Sequence, residues 1–333
     1  MKILVLVGAV AVAVAIMLIV VLSVQSDANQ DRIRVVFFAT LTHAVPIIGL
    51  ENGEFAKELG GVPIETRIVD SGPQAIEALF ANSADIAYVG PAPFVNGYIK
   101  SGSQGLKVLS GAAANGASFV VQADSAISSG ADLAGKKIAA PFIGNTQDVS
   151  LRHYLTENNL TPAERGGDVI IYNIANPEIF TLFAKGDIDA AWAPEPTATI
   201  LVEQLGGKRL FKEEEIWPQK EFSSVLLVAR SDFVQTHPEW VKKWIIAHEN
   251  TIQWINQNPN QTEVMFIEFY KKHTGKSLNA NIIHEAFSNI VITSDPKPHS
   301  IRIFAERAYD LGYLGRTGYN LDGIFYGDLQ WPS

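Results

Sequence analysis

Strand-like and helix-like patterns alternate along most of this chain, and the alternation restricts the folds that it can adopt. Runs rich in β-branched and aromatic residues at 32–39, 62–69 and 85–89 are each followed by a polar turn and a helical segment. Parallel strands need a crossover connection, which is usually a helix. The pattern therefore predicts a parallel sheet flanked by helices, and its restart over 108–205 predicts a second α/β unit.

The two predicted units are not separated by a low-complexity linker. Strand-like runs near 117–122 and 224–229 lie where the chain would pass from one unit to the other. We expect these crossings to act as hinges rather than as flexible tethers. After 238 the pattern is mainly helical to about residue 311.

The first 26 residues depart from this alternation. Residues 3–22 carry no charged or polar side chain, and a helix of that length matches the hydrocarbon core of a bilayer, which is roughly 30 Å thick. The apolar core of a signal peptide is shorter, about 7–15 residues. We therefore expect 1–26 to form a transmembrane helix that anchors an extracytoplasmic body to the membrane. Cleavage of 1–26 as a signal segment, leaving a secreted or periplasmic protein, is the alternative.

Composition excludes several classes of function. The chain has no cysteine, so it has no disulfide, thiolate zinc site, cysteine nucleophile or lipid-bearing cysteine. Its net charge of −9 argues against a nucleic-acid partner, because such proteins usually carry a basic excess. The seven histidines are scattered without the spacing of a metal pair. We therefore expect neither a metal nor another cofactor.

A small polar turn recurs at the start of helices that follow strands. It occurs at Thr40–His43, Ser71–Pro73, Gly90–Pro91 and Asn145–Asp148. In a parallel sheet such turns lie beyond the carboxyl ends of the strands, where ligands bind. The free N–H groups and positive dipole end of a helix start attract anions without Arg or Lys. Any one turn is explained by capping of its own helix, whereas four together predict a cleft for a small anion.

Seven segments resemble the nitrate/sulfonate/taurine family, whose members are substrate-binding proteins of ABC importers. They occur in order, and the resemblance extends over about 32–327. The segments are LTHAVPIIGLENG (41–53), SGPQAIEAL (71–79), AYVGP (87–91), ADLAGKKI (131–138), GNTQDV (144–149), GDIDAAWAPEP (186–196) and NLDGI (320–324).

The resemblance implies a two-lobed type II periplasmic-binding-protein fold, an α/β architecture in which each lobe is a mainly parallel sheet flanked by helices. Domain I would comprise 27–119 and 224–333, and domain II would comprise 120–223. The lobes would close on a small anion, such as a sulfonate, taurine or nitrate. The protein would act as a monomer and deliver the anion to a membrane permease and its ATPase.

The resemblance also implies a set of ligand-contacting residues in the loops of both lobes. Ser71, Thr146 and Gln147 would donate to the anion, and Trp192 would be either a wall for an apolar tail or a core residue. His43 would be a neutral donor, a charged one, or a capping or core histidine. The full set is Thr40, Thr42, His43, Ser71, Gly72, Gly90, Pro91, Asn115, Asn145, Thr146, Gln147, Asp148, Trp192, Glu195, Pro196, Ser223 and Ser224.

Two carboxylates in this set, Asp148 and Glu195, would repel an oxyanion. We consider two roles for Glu195: pairing with the ammonium group of a ligand such as taurine, or accepting backbone N–H groups of its own loop.

The main alternative function is an enzyme acting on a small anionic or pyrimidine-type metabolite. The same fold resembles that of thiamine-pyrimidine synthases and hydroxymethylbilane synthases, but those enzymes depend on cysteines that this chain lacks. A membrane-tethered sensor or adhesin is a third class, for which the sequence shows no signalling or repeat domain.

Overall fold

The computed structural model of the protein describes residues 32–329 and 331, and the strands in that part form two sheets. The predicted anchor or signal segment, 1–26, lies outside the described residues. Among the residues described, no helix combines the length and hydropathy needed to cross a membrane. The strands are β1 (Ile33–Phe37), β2 (Ile64–Ile68), β3 (Ile86–Val89), β4 (Leu106–Asn115), β5 (Ala117–Val121), β6 (Lys137–Ala140), β7 (Ile170–Asn173), β8 (Ala190–Pro194), β9 (Lys208–Lys212), β10 (Ser223–Arg230) and β11 (Ile290–Ile292).

Helices follow most of the strands, as the alternating pattern predicts. They are α1 (Ala44–Glu51), α2 (Glu54–Leu59), α3 (Gly72–Phe80), α4 (Pro91–Lys100), α5 (Thr146–Glu157), α6 (Asn176–Lys185), α7 (Thr197–Leu205), α8 (Ser231–Thr236), α9 (Pro238–Gln257), α10 (Pro259–Thr274), α11 (Ala280–Ser288) and α12 (Pro298–Asp310).

Both sheets mix parallel and antiparallel pairs. The first sheet has the order β11-β4-β10-β3-β1-β2, and the second has the order β7-β6-β8-β5-β9. β1 is parallel to β2 and β3, and β6 is parallel to β7 and β8. β10 and β5 run antiparallel to both of their neighbours. The prediction that each sheet is mainly parallel is therefore wrong, because parallel pairs do not predominate in either sheet. Antiparallel pairs arise where β5 and β10 each join one sheet directly after a strand of the other sheet.

The chain passes between the sheets at two points that are hydrogen-bonded to each other. The first is Gly116, between β4 and β5, and the second is 213–222, between β9 and β10. Asn115 N–H donates to the Phe222 carbonyl at 3.0 Å, and Phe222 N–H donates to Asn115 Oδ1 at 3.2 Å. Gly116 has φ of +80°, and a Cβ there would lie 2.6 Å from Ile290 Cγ1, so the passage requires glycine.

Hydrophobic cores lie on both faces of each sheet. Val35 and Val36 are neighbours on β1 and belong to different core clusters, as the twofold period of a strand requires. Phe119 and Val120 on β5 divide in the same way. Because packed side chains cover both faces of the sheets, a ligand can approach at the ends of the strands. The carboxyl ends of the parallel strands face a cleft.

Candidate ligand cleft

A cleft of about 580 Å³ lies between loops of the two sheets. From the first sheet it is lined by residues that follow β1, β2 and β3, and from the second by residues that follow β6, β7 and β8. These are the carboxyl ends of the parallel strands, where the topology predicts a ligand site.

The loop after β1 contributes two threonines and a histidine to the cleft. The Oγ1 atoms of Thr40 and Thr42 lie 3.2 Å apart. His43 Nδ1 accepts the Phe38 N–H at 3.3 Å, and the two rings stack with centroids 4.4 Å apart. Burial lowers the pKa of His43 to about 3, so the ring is neutral at physiological pH. Because Nδ1 accepts, the proton of the neutral ring is on Nε2, and His43 offers the cleft an uncharged donor.

The starts of α3 and α5 are bonded to each other across the cleft. Gly72 N–H, at the start of α3, donates to Asn145 Oδ1 at 2.8 Å. Asn145 occupies the N-cap position of α5, yet its side chain does not cap that helix. The first backbone N–H groups of α5, at Thr146 and Gln147, therefore receive no cap from Asn145 and remain as donors for an anion.

The start of α4 approaches the start of α5 even more closely. A Cβ added to Gly90 would lie 2.2 Å from Thr146 Oγ1 and 3.6 Å from the Ser224 carbonyl oxygen. Ser224 is only 7% exposed, and its hydroxyl has no hydrogen-bond partner among the described residues. A buried hydroxyl without a partner is costly, and a ligand in the cleft would satisfy it.

Formal charge contributes little to the cleft. The described lining residues include two acidic or basic side chains besides His43, those of Asp70 and Lys276, and both are exposed. The buried part of the lining offers hydroxyl, amide, imidazole and backbone donors without a carboxylate. An anion would be held there by local dipoles, in spite of the net charge of −9 on the chain.

The structure brings ten of the predicted residues into this lining and places the other seven outside it. The ten are Thr40, Thr42, His43, Gly72, Gly90, Asn145, Thr146, Gln147, Pro196 and Ser224. The seven are Ser71, Pro91, Asn115, Asp148, Trp192, Glu195 and Ser223.

Two of the seven lie at helix starts and two lie at the crossings. Ser71 caps α3, its Oγ accepting Gln74 N–H at 3.4 Å, and Pro91 is the first residue of α4. Asn115 joins the two crossings. Ser223 is 1% exposed, and its N–H donates to Ser300 Oγ at 2.8 Å.

Asp148 is completely buried and has four donors. It accepts Gly144 N–H at 2.9 Å and Arg152 Nε at 2.7 Å, and it also accepts from Asn173 and Tyr313. The carboxylate is thus paired with a cation. Its bond to Gly144 holds the loop that leads into α5, so Asp148 supports the loop that carries the donors while lying outside the cleft lining.

Glu195 is also completely buried, and its oxygens are occupied by protein groups. They accept Thr199 N–H at 3.0 Å and Asn289 Nδ2 at 2.9 Å, and Arg209 Nη2 lies 3.4 Å away. Burial raises its pKa to about 7. This is close to the second role considered above: the carboxylate accepts a nearby backbone N–H, that of Thr199 in the first turn of α7.

Trp192 is a core residue. It is fully buried, and its Nε1 donates to Glu213 Oε2 at 2.6 Å. Glu213 also accepts from Ser150 Oγ and Trp217 Nε1, and burial raises its pKa to about 7. Sequence reasoning missed Glu213, since nothing in the run Glu213–Glu215 distinguishes the buried carboxylate from exposed ones.

Sequence reasoning also missed the apolar part of the lining. These side chains lie in loops and helices beside both sheets, and they are only partly buried. No local signal finds them, because an apolar residue at helical spacing faces a core or a cleft with the same pattern. They include Phe38, Phe142, Ile174, Phe180, Ile200 and Leu278.

The sequence pattern of the NMT1-like family matches residues 26–267, which is most of the chain. This protein belongs to the NMT1-like family. The taurine-binding periplasmic protein of Escherichia coli (strain K12) is 31% identical over 226 residues, which cover 68% of each chain. The family resemblance predicted from the sequence motifs is thus confirmed.

Solved structures confirm the α/β periplasmic-binding-protein fold for this NMT1-like protein. The alkanesulfonate-binding protein SsuA from Xanthomonas axonopodis pv. citri, bound to MOPS, superposes with a TM-score of 0.70 at 17% identity, covering 85% of this chain and 92% of that one. The nitrate-binding protein NrtA from Synechocystis PCC 6803 gives 0.69 at 18% identity, covering 86% and 83%.

Proposed function

We propose that this protein is the extracytoplasmic substrate-binding component of an ABC importer. It captures a small oxyanion, of the sulfonate, taurine or nitrate kind, and delivers it to a membrane permease and its ATPase. The observation that carries this proposal is the approach of Gly90, Thr146 and Ser224 beside two helix starts that have no side-chain cap. The hydroxyl of Ser224 is buried and has no partner among the described residues. The names of the relatives, all binding proteins, support it over the enzyme alternative.

The two sheets would be the cores of two lobes that close on the ligand. In this proposal the domains keep the bounds that the resemblance implies, 120–223 for domain II and 27–119 with 224–333 for domain I, with two changes. β5 from Ala117 belongs to domain II, and Ser223, the first residue of β10, belongs to domain I. Asn115, Gly116 and 213–222 would be the hinge, since the chain crosses between the sheets there. We also propose that the protein acts as a monomer. We further propose that 1–26 anchors the body at the outer face of the membrane, on the strength of its apolar run.

Isothermal titration calorimetry with nitrate, taurine and short alkanesulfonates tests this function. We expect saturable one-to-one binding of at least one of these anions. Ser224→Ala should weaken it by about tenfold to a hundredfold, since a hydrogen bond to a charged group contributes about 1.5–3 kcal/mol.

Ser223→Ala is the matched control, because that neighbouring hydroxyl is also buried and unpartnered but does not line the cleft. Its affinity should equal that of the unmodified protein. If no anion in the panel binds, the proposed function is wrong.

A further inference from the structure

The cleft has a second kind of surface that capture of a bare oxyanion leaves unused. Phe38 and Leu278 lie on the side of the first sheet, and Phe142, Phe180 and Ile200 lie on the side of the second. All five are partly buried, so some apolar surface of each remains open. Apolar surface left open in a concave site favours a ligand that covers it.

This apolar wall adjoins the donors. Phe142 is three residues before Asn145, in the loop that leads into α5, and Asn145 N–H donates to the Phe142 carbonyl at 3.0 Å. Phe180 on α6 and Ile200 on α7 lie on helices that pack against each other. A ligand whose head reaches Thr146 thus has apolar surface available for its tail.

Among the described residues, the buried lining has no carboxylate that could pair with a positively charged tail. Asp148 and Glu195 are occupied by protein donors and lie outside the lining. Asp70 is the one carboxylate among the described lining residues, and it is exposed, where solvent weakens ion pairs. An ammonium group would therefore lose its hydration in the cleft without gaining a buried ion-pair partner.

The size of the cleft points the same way. Its volume of about 580 Å³ falls in the range of about 300–1,000 Å³ that drug-sized ligands occupy. Nitrate has no tail, and taurine has a short one that ends in an ammonium group. Neither covers the wall formed by Phe142, Phe180 and Ile200.

We propose that the preferred ligand is an organic oxyanion with an uncharged, bulky apolar tail, whose head contacts Thr146 and Ser224 and whose tail covers Phe142, Phe180 and Ile200. This inference rests on the proposed function and narrows its substrate class. It makes taurine and nitrate weak ligands. The head is a sulfonate or a carboxylate, since hydroxyl and backbone donors suit both.

Calorimetric titration of two homologous series tests the proposal. The probes are methane-, butane-, hexane- and benzenesulfonate and the matching carboxylates, with taurine and nitrate beside them. Within each series that binds, affinity should rise about threefold to fourfold for each buried methylene. Hexanesulfonate should bind at least tenfold more tightly than taurine or nitrate.

Variants locate the tail. Phe142→Ala should weaken hexanesulfonate by about tenfold and leave methanesulfonate unchanged; Phe142 belongs to none of the core clusters, so this variant should keep the fold. Phe180→Ala is a second variant with the same expected pattern. Phe80→Ala is the control, because that ring is 44% exposed and outside the cleft.

The outcomes separate this inference from the proposed function. If taurine or nitrate binds as tightly as hexanesulfonate, or if affinity does not depend on tail length, the inference fails and the proposed function stands. If Phe142→Ala and Phe180→Ala weaken methanesulfonate and hexanesulfonate equally, the tail assignment fails. If no anion binds, both fail.

Discussion

His43 sets the chemical character of the buried lining. Its Nδ1 is occupied by the Phe38 N–H and its pKa is lowered to about 3, so protonation would require breaking a hydrogen bond in a desolvated site. The ring therefore acts as a neutral donor beside the hydroxyls of Thr40 and Thr42. Affinity in such a site comes from oriented dipoles, which do not titrate near neutral pH.

The contribution of His43 to the affinity for an alkanesulfonate should accordingly be constant between pH 5 and pH 8. Only about 1% of His43 is protonated at pH 5 if its pKa is about 3, so it adds no charge over that range. Calorimetric titrations at several pH values measure this directly. If affinity rose tenfold or more on acidification, and this rise were absent in His43→Asn, the histidine would bind the anion as a cation.

At the scale of elements, the closeness of the starts of α4 and α5 depends on a missing side chain. Gly90 has φ of −66°, which any residue adopts, so it is the contact with Thr146 that favours glycine there. A Cβ at 90 would press on Thr146 Oγ1, which lies at the start of α5 on the side of the second sheet.

Gly90→Ala should therefore destabilise the contact between the starts of α4 and α5 by about 1–3 kcal/mol, the usual cost of overpacking. Alkanesulfonate affinity should fall by about tenfold to a hundredfold. Thr146→Ala removes the clashing oxygen and leaves Cβ 3.4 Å away, so the double variant should bind no more weakly than Thr146→Ala alone. Additive losses in titration calorimetry would show that the two helix starts do not meet.

The segment after α12 contributes to the cleft indirectly. Tyr313 OH donates to Asp148 Oδ2 at 2.8 Å, and Arg165 Nη2 donates to the Leu311 carbonyl at 2.7 Å. Both bonds join this segment to the side of the second sheet. Since Asp148 also holds Gly144, the segment helps to fix the loop before α5.

Tyr313→Phe should lower the free energy of unfolding by about 1–2 kcal/mol, because it removes one donor from a buried carboxylate that keeps its other donors. It should also weaken anion binding several-fold through the loop at Gly144. Urea denaturation and calorimetry measure the two effects. Tyr319→Phe, in the same segment, is the control and should change neither quantity; equal effects of both variants would contradict a specific role for Tyr313.

The elements that the sequence predicts well carry strong local signals. The start of α3 follows from the cap Ser71 and from Pro73, and β1 follows from its β-branched and aromatic run. β9 and β11 were not predicted: β9 has a charged residue at each end, and β11 has only three residues. The mixed strand directions depend on pairings between distant segments, which local periodicity does not contain.

The candidate site was predicted in the same uneven way. Helix starts are local features, so Gly72, Gly90 and Thr146 could be placed in the cleft from sequence. Whether a loop residue faces the cleft or the core is decided by packing partners far along the chain. Trp192 and Glu195 turn inward because Glu213 and Asn289 meet them there.

At the scale of the whole molecule, four buried groups with shifted pKa values make the free energy of unfolding depend on pH. Burial lowers the pKa of His43 to about 3 and that of His248 to about 4, and it raises the pKa of Glu195 and Glu213 to about 7. The unfolded chain binds protons at the two histidines below about pH 6.5. The folded chain keeps protons on the two glutamates up to about pH 7, whereas the unfolded chain loses them near pH 4.5.

The contribution of these groups to the free energy of unfolding should therefore be nearly flat between about pH 4.5 and 6.5, where the two effects cancel. Below that range stability falls, because the unfolded chain takes up protons at the histidines. Above it stability falls until the glutamates have ionised in the folded chain. Each unbalanced proton contributes up to about 1.4 kcal/mol per pH unit.

Urea denaturation from pH 3.5 to pH 8.5 checks this profile. Glu213→Gln should halve the decline on the alkaline side, and the exposed Glu215→Gln should leave it unchanged. The slope is the readout, because removing Glu213 also alters the surroundings of the buried Arg307. A stability that rises steadily to pH 8 would contradict the assignment of these buried groups.

A crystal structure of the protein with hexanesulfonate bound tests most directly whether residues beside both sheets form one ligand site. We expect the sulfonate oxygens to lie about 2.7–3.2 Å from Thr146 and Ser224, with the alkyl chain against Phe180 and Ile200. A sulfonate bound at the exposed Lys276, with the starts of α4 and α5 unoccupied, would contradict a ligand site built from helix starts.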